Sequence, residues 1–290
     1  MIKKLYSSKN SNVLLLLIYF FALVTLNCTT EPAEPIFEEQ IVVNAYLYVD
    51  KGIDSVFVSK SLGIEEPYSY EKAAVNNADV FISVDNNTYQ LFEYIEKPGA
   101  YYLPYDSLVV ISGKKYRLEI HVGEKNVRAN TTAPAQVQID SINRDTTTHL
   151  DTQFELFWHK TDWAAGYLIS TIAKSTSELV DLGAIGDARL GMFDDDTLKA
   201  FPQIMNFPVN ELDTLFQMPW FMFWYYGEFT VKFYAIDQNL FDLSTSPSMF
   251  QPQSSEFEQP TYHVDGGIGI FTAVSVDSAL VYVRRQGELY

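Results

Sequence analysis

From Ile41 onward the chain is dominated by short runs in which apolar and polar residues alternate. In Lys115-Tyr116-Arg117-Leu118-Glu119-Ile120-His121-Val122 the large apolar groups fall on every second position. That spacing puts them on one face of a strand, whereas a helix would need them three and four residues apart. Ala78-Asp79-Val80-Phe81-Ile82-Ser83-Val84 repeats the pattern, ends at Asp85-Asn86-Asn87, and resumes in Thr88-Tyr89-Gln90-Leu91-Phe92-Glu93 as the second arm of a hairpin. Turn signals at Asp50-Lys51-Gly52, Pro98-Gly99 and Gly123-Glu124-Lys125-Asn126 separate the runs that begin at Ile41, Asp54, Ala100 and Val127. About seven short strands, spaced by about ten residues and without helical periodicity, predict an antiparallel β-sandwich over residues 41–133.

Composition supports this class. Aromatic residues make up 15% of the 290-residue chain, with 19 Tyr and 20 Phe, and such side chains pack well on a pleated surface. The formal net charge is −17. A surface of that sign repels a phosphate backbone, which argues against nucleic-acid binding.

Past Thr132-Ala133-Pro134 and an Asp/Thr-rich connection, a second set of runs begins. Phe154-Glu155-Leu156-Phe157-Trp158-His159 is followed, after a short loop, by Gly166-Tyr167-Leu168-Ile169-Ser170-Thr171-Ile172. This pair resembles the central hairpin of a fibronectin type III domain. Gly227 to Asp237 is similar to that family's penultimate strand. Between them lies the stretch 175–226, too long for a plain sandwich loop, in which Pro208 to Phe216 reads as a helix capped by Asn210. The final strand is read at Asp277 to Val283. The expected architecture is therefore all-β: two immunoglobulin-like or fibronectin-like β-sandwiches, at 41–133 and 134–290, the second carrying the insertion.

The N-terminus has a different character. Lys3, Lys4 and Lys9 precede an apolar run from Val13 to Leu26, which is followed by Cys28 and a polar, Pro- and Glu-containing segment. Basic, apolar and polar segments in that order are those of an export signal. The run is shorter than the roughly 20 apolar residues of a comfortable spanning helix, although an uncleaved N-terminal anchor is the alternative reading. Cys28 is the single cysteine, so it has no partner for an internal disulfide. Its position directly after the apolar run resembles a bacterial lipoprotein signal, which implies removal of residues 1–27 and acylation of the Cys28 thiol. Acyl chains, at about 0.8 kcal/mol per buried methylene, hold a protein on a membrane without a spanning helix. Residues 28–40 then read as a flexible tether.

Other constellations are weaker. Gly266-Gly267-Ile268-Gly269 lacks the following helix and the lysine of a phosphate loop, and reads as a turn with close backbone packing. Asp194-Asp195-Asp196, with Asp181, Asp187 and Asp213, is either a solvated acidic loop or a calcium site, without EF-hand spacing. His121, His149, His159 and His263 form no metal-binding motif, and no nucleophile elbow is present. No metal and no cofactor is predicted. Met218-Pro219-Trp220-Phe221-Met222-Phe223-Trp224-Tyr225-Tyr226 is the most unusual stretch. It reads either as core or as an aromatic surface, with Trp220, Phe221, Trp224 and Tyr225 meeting a ligand or partner.

Several segments together resemble a family of Bacteroidetes outer-membrane lipoproteins of unknown function. They are the leader with Cys28, Ile41-Val42-Val43-Asn44-Ala45-Tyr46-Leu47, Asn77 to Ile82, Gly99 to Tyr102, Gly113 to Ile120, and Asp265 to Phe271. The resemblance implies an outer-membrane location and an association with TonB-dependent receptors. It supplies no catalytic residues. The expected function is that of a non-enzymatic binding or accessory lipoprotein in nutrient uptake, with the region Asp194 to Tyr226 as the first place to look for a binding surface. A structural or adhesive surface lipoprotein is the alternative, ahead of a carbohydrate-active enzyme.

Overall fold

The computed structural model of the chain describes residues 37–63, 65–180, 207–210, 212–246 and 260–288. Cys28, the tether up to residue 36 and the Asp194-Asp195-Asp196 cluster lie outside the described residues. Residues Glu39–Tyr290 form one compact unit. Among its described residues the regular structure is almost entirely β.

The first sandwich is built from the alternating runs. Strands β1 (Ile41–Tyr48), β2 (Val56–Lys60), β5 (Phe92–Glu93) and β6 (Ala100–Tyr102) form one layer. Strands β3 (Asp79–Val84), β4 (Asn87–Gln90), β7 (Lys115–Val122) and β8 (Lys125–Thr132) form the other, and the four-residue helix α1 (Tyr70–Ala73) lies between β2 and β3 in the chain. The predicted hairpins β3–β4 and β7–β8 are both present. Period-two burial places Val43, Ala45 and Leu47 of β1 opposite Val80 and Ile82 of β3 and Leu118 and Ile120 of β7 in the first core.

In the second half, β9 (Ile139–Ile142), β11 (Glu155–Trp158) and β14 (Leu215–Gln217) form a three-stranded sheet. It faces β12 (Gly166–Ala173), β13 (Phe207–Asn210) and β15 (Gly227–Ile236), while β10 (Thr146–Thr148) pairs along the final strand. Two expectations are corrected here. β11 and β12 do not form a hairpin: the chain crosses from one sheet to the other between them. Trp158 therefore faces Tyr167 and Phe233 across the core, with ring centroids 5.4 and 4.7 Å away. The predicted helix over Pro208 to Phe216 is instead the strands β13 and β14. Asn210 caps a tight turn between them, its Oδ1 accepting from the Leu212 N–H at 3.0 Å.

The strand that unites the halves is β17 (Ile268–Arg284), reached from the two-residue β16 (Val264–Asp265) through Gly266 and Gly267. Its first part runs parallel to β1, from Val42↔Ile268 to Tyr48↔Val274. Its second part runs antiparallel to β15, from Ile236↔Val274 to Gly227↔Val283. Phe271 and Ala273 thus lie in the first core, and Val281 and Val283 in the second. Val264, Phe271 and Ala273, placed by sequence with the second half, pack in the first core. Helix α2 (Gln238–Thr245), directly after β15, covers the outer face of this sheet with Leu240 and Phe241 against Leu168, Ile270 and Val274.

Candidate functional site

The seam between the halves is organised by Asp237, which follows the last residue of β15 and caps α2. Its carboxylate accepts hydrogen bonds from the Thr131 hydroxyl of β8, the Thr272 hydroxyl of β17 and the Leu240 N–H of the helix, the last at 3.0 Å. The side chain is 3% exposed. Burial pushes its pKa above the ordinary carboxylate value, while the donors from Thr131, Thr272 and the backbone pull the other way. Beside it, Asn239 donates to the carbonyls of Asn130 at 2.7 Å and Phe271 at 2.8 Å. The first turn of α2 thereby ties β8 to β17.

An open cleft of about 510 Å³ lies along this seam, lined by Lys115, Asn130, Thr132, Trp163 and Gln238 with Asp237 at its base. Trp163 is 59% exposed and holds a left-handed backbone, φ +59°. A bulky residue rarely occupies that region. Its ring is supported from one side. A Cβ added at Gly113 would lie 3.0, 3.1 and 3.2 Å from Cη2, Cζ3 and Cζ2 of the indole. Such near-equal distances to three successive ring atoms place Gly113 over the ring's face and not at its edge. Gly113 itself has φ +73°, so both its conformation and its lack of a side chain serve this contact.

Of the residues singled out by sequence, Cys28 lies outside the described residues. The aromatic run is divided. Tyr225 is fully buried, as are Met218, Met222 and Phe223, so Tyr225 is corrected from a candidate surface residue to a core residue. Trp220, Phe221 and Trp224 are partly buried against the second core. The run is folded inward by a 3-10 turn at Trp220–Met222, and the Trp224 indole N–H donates to the Phe221 carbonyl at 2.8 Å. The neighbouring chain is tied to the other side of the insertion, with the Val180 N–H donating to the Trp224 carbonyl at 2.9 Å.

The histidines are dispersed: His263 meets Asp242 at 2.7 Å, and His121 meets Glu119 at 3.5 Å. Among the described residues no group of three or more His, Cys, Asp or Glu side chains is placed to hold a metal ion. No helix among them is long and apolar enough to cross a membrane. The seam residues Lys115, Asn130, Trp163 and Asp237 were not singled out as a site by sequence. One signal for part of it was present: an Asp at 237 followed by Leu240, Phe241 and Leu243 is a capped helix start.

The family of this chain is shown by a match over residues 26–279 to a domain of unknown function, DUF4249. The chain belongs to the DUF4249 family. No functionally curated protein matches it. Among solved structures, the DUF4249 chain is similar to a two-domain fibronectin type III segment of chicken tenascin. That match has 7% identity and a TM-score of 0.28, and covers 84% of this chain and 99% of that one. It is also similar to fibronectin domains FN1–FN3 of chicken CNTN1, with 10% identity and a TM-score of 0.24, over 83% of this chain and 66% of that one.

Proposed function

We propose that this DUF4249 protein is a non-enzymatic binding lipoprotein, held on the outer membrane by an acylated Cys28 and working beside a TonB-dependent transporter. The observation that carries the binding role is the seam cleft. It is a concave site at the junction of two sandwiches, where ligand sites commonly form, and its walls are fixed by Asp237 and Asn239. A non-enzymatic role is supported by the state of Asp237. Protein donors occupy both oxygens of this buried acid, which is not the arrangement of a general base facing a substrate proton. The anchor and the transporter association rest on the leader, on Cys28 and on the family resemblance.

Solubilising membranes in mild detergent after cross-linking, and recovering the tagged full-length protein, tests the partnership. An outer-membrane barrel of the TonB-dependent class is expected among the co-purifying proteins; recovery without any such barrel contradicts it. A second reading, a structural or adhesive surface protein, is favoured by one feature. β17 runs unbroken through both halves, as a stiff spacer requires. Under that reading the cleft is dispensable, and substitutions in it leave the protein's role unchanged.

A further inference from the structure

The geometry points to the seam cleft as a site for a neutral saccharide, stacked on the exposed indole of Trp163. The inference rests on reading the cleft as a binding site, but not on the lipid anchor or on a transporter partner.

The argument begins with Trp163. Leaving a large indole 59% exposed gives up apolar burial, and holding it at φ +59° adds backbone strain. Gly113 packs over one face of the indole, and the exposed remainder of the side chain lines the cleft. A flat, rigid, electron-rich face suits the C–H side of a pyranose ring, and a supported ring loses little conformational entropy on binding.

The remaining lining is suited to hydroxyl groups. The Thr132 hydroxyl and the Asn130 side-chain amide carry donor and acceptor atoms that make no hydrogen bond among the described residues, and the side-chain carbonyl of Gln238, whose amide donates to Asp242, is in the same position. Hydroxyl and amide groups of this kind pair with adjacent sugar hydroxyls, each of which both donates and accepts.

Charge selects within the class. Lys115 brings one cation to the cleft, while the buried Asp237 has both carboxylate oxygens taken up by protein donors. The chain as a whole carries −17. An anionic sugar or a phosphorylated ligand therefore finds a single lysine in the cleft and approaches against the field of the whole molecule. A neutral ring meets no such penalty.

The test is calorimetric titration of the full-length protein in detergent with cellohexaose, maltohexaose, mannohexaose and xylohexaose, with hexagalacturonate as the anionic comparator. Binding is expected for at least one neutral hexasaccharide and absent for hexagalacturonate. Trp163→Gly removes the ring and relieves the left-handed backbone, so it tests recognition without a folding penalty. It is expected to weaken binding about tenfold or more, while Trp163→Phe retains part of the affinity. No binding by any neutral hexasaccharide overturns the inference, as does binding that Trp163→Gly leaves unchanged. Hexagalacturonate binding more tightly than every neutral hexasaccharide overturns it too. If saccharide binding fails while a barrel still co-purifies, the ligand class is wrong and the accessory role stands.

Discussion

Asp237 is buried, and so costly to ionise, yet it is surrounded by donors that suit an anion. Truncating it to Ala leaves two threonine hydroxyls and one helix N–H without their acceptor, and removes the cap of α2. Chemical denaturation should show a loss of about 2–4 kcal/mol. Its pH dependence has a definite sign. The folded pKa is raised, so the folded chain holds the Asp237 proton to higher pH than the unfolded chain does. The stability this contributes is fully present below the ordinary carboxylate value and is lost as pH rises through the folded value. Denaturation curves of wild type and Asp237→Asn between about pH 3 and pH 7 should therefore show the wild-type advantage shrinking as pH rises. Trp158 supplies a contrasting case in the second core. It is 2% exposed, and its indole N–H has no acceptor among the described residues. Trp158→Phe removes that donor and keeps most of the ring contact with Tyr167 and Phe233, so it should cost within about 1–2 kcal/mol. Trp158→Ala should cost about 3–5 kcal/mol.

At the scale of elements, β17 depends on a glycine. A Cβ at Gly269 would sit 2.0 Å from the Val43 carbonyl oxygen, and φ there is +109°. Gly269→Ala must push β1 away from β17 along their parallel ladder, and should lower stability by about 3 kcal/mol or more in denaturant unfolding. The glycine cluster was legible as a turn with tight backbone packing, because Gly266-Gly267-Ile268-Gly269 had strand-like sequence after it and no lysine. The alternating strands of the first half were legible for a similar local reason: Val80, Ile82, Leu118 and Ile120 each announce a face by their spacing. What sequence did not reveal was how strands pair beyond the local hairpins. Nothing in Phe271 or Val281 says that one packs in the first core and the other in the second, because that depends on β17 pairing with β1 over its first part and with β15 over its second. The crossover between β11 and β12 was hidden likewise, since a strand–loop–strand pattern fits a hairpin and a sheet change equally well. The seam cleft was the least visible, because its walls come from β7, β8, the loop before β12 and α2, and no one of these carries a motif.

For the whole molecule, the shared strand makes the two cores interdependent. All four tryptophans, Trp158, Trp163, Trp220 and Trp224, lie in the second half, so intrinsic fluorescence reports on that half. Leu118→Ala, in the first core, should cost about 2–5 kcal/mol. If β17 couples the halves, the fluorescence transition moves with it, in a single step that coincides with far-UV circular dichroism. Two separated transitions, with the fluorescence one unmoved, contradict that coupling. The proposed role adds a lipid tether to this coupled body, and Cys28→Ser tests the two together. The account predicts a protein that leaves the membrane fraction on carbonate washing while keeping the wild-type unfolding midpoint. A serine variant that stays membrane-bound after the wash contradicts it.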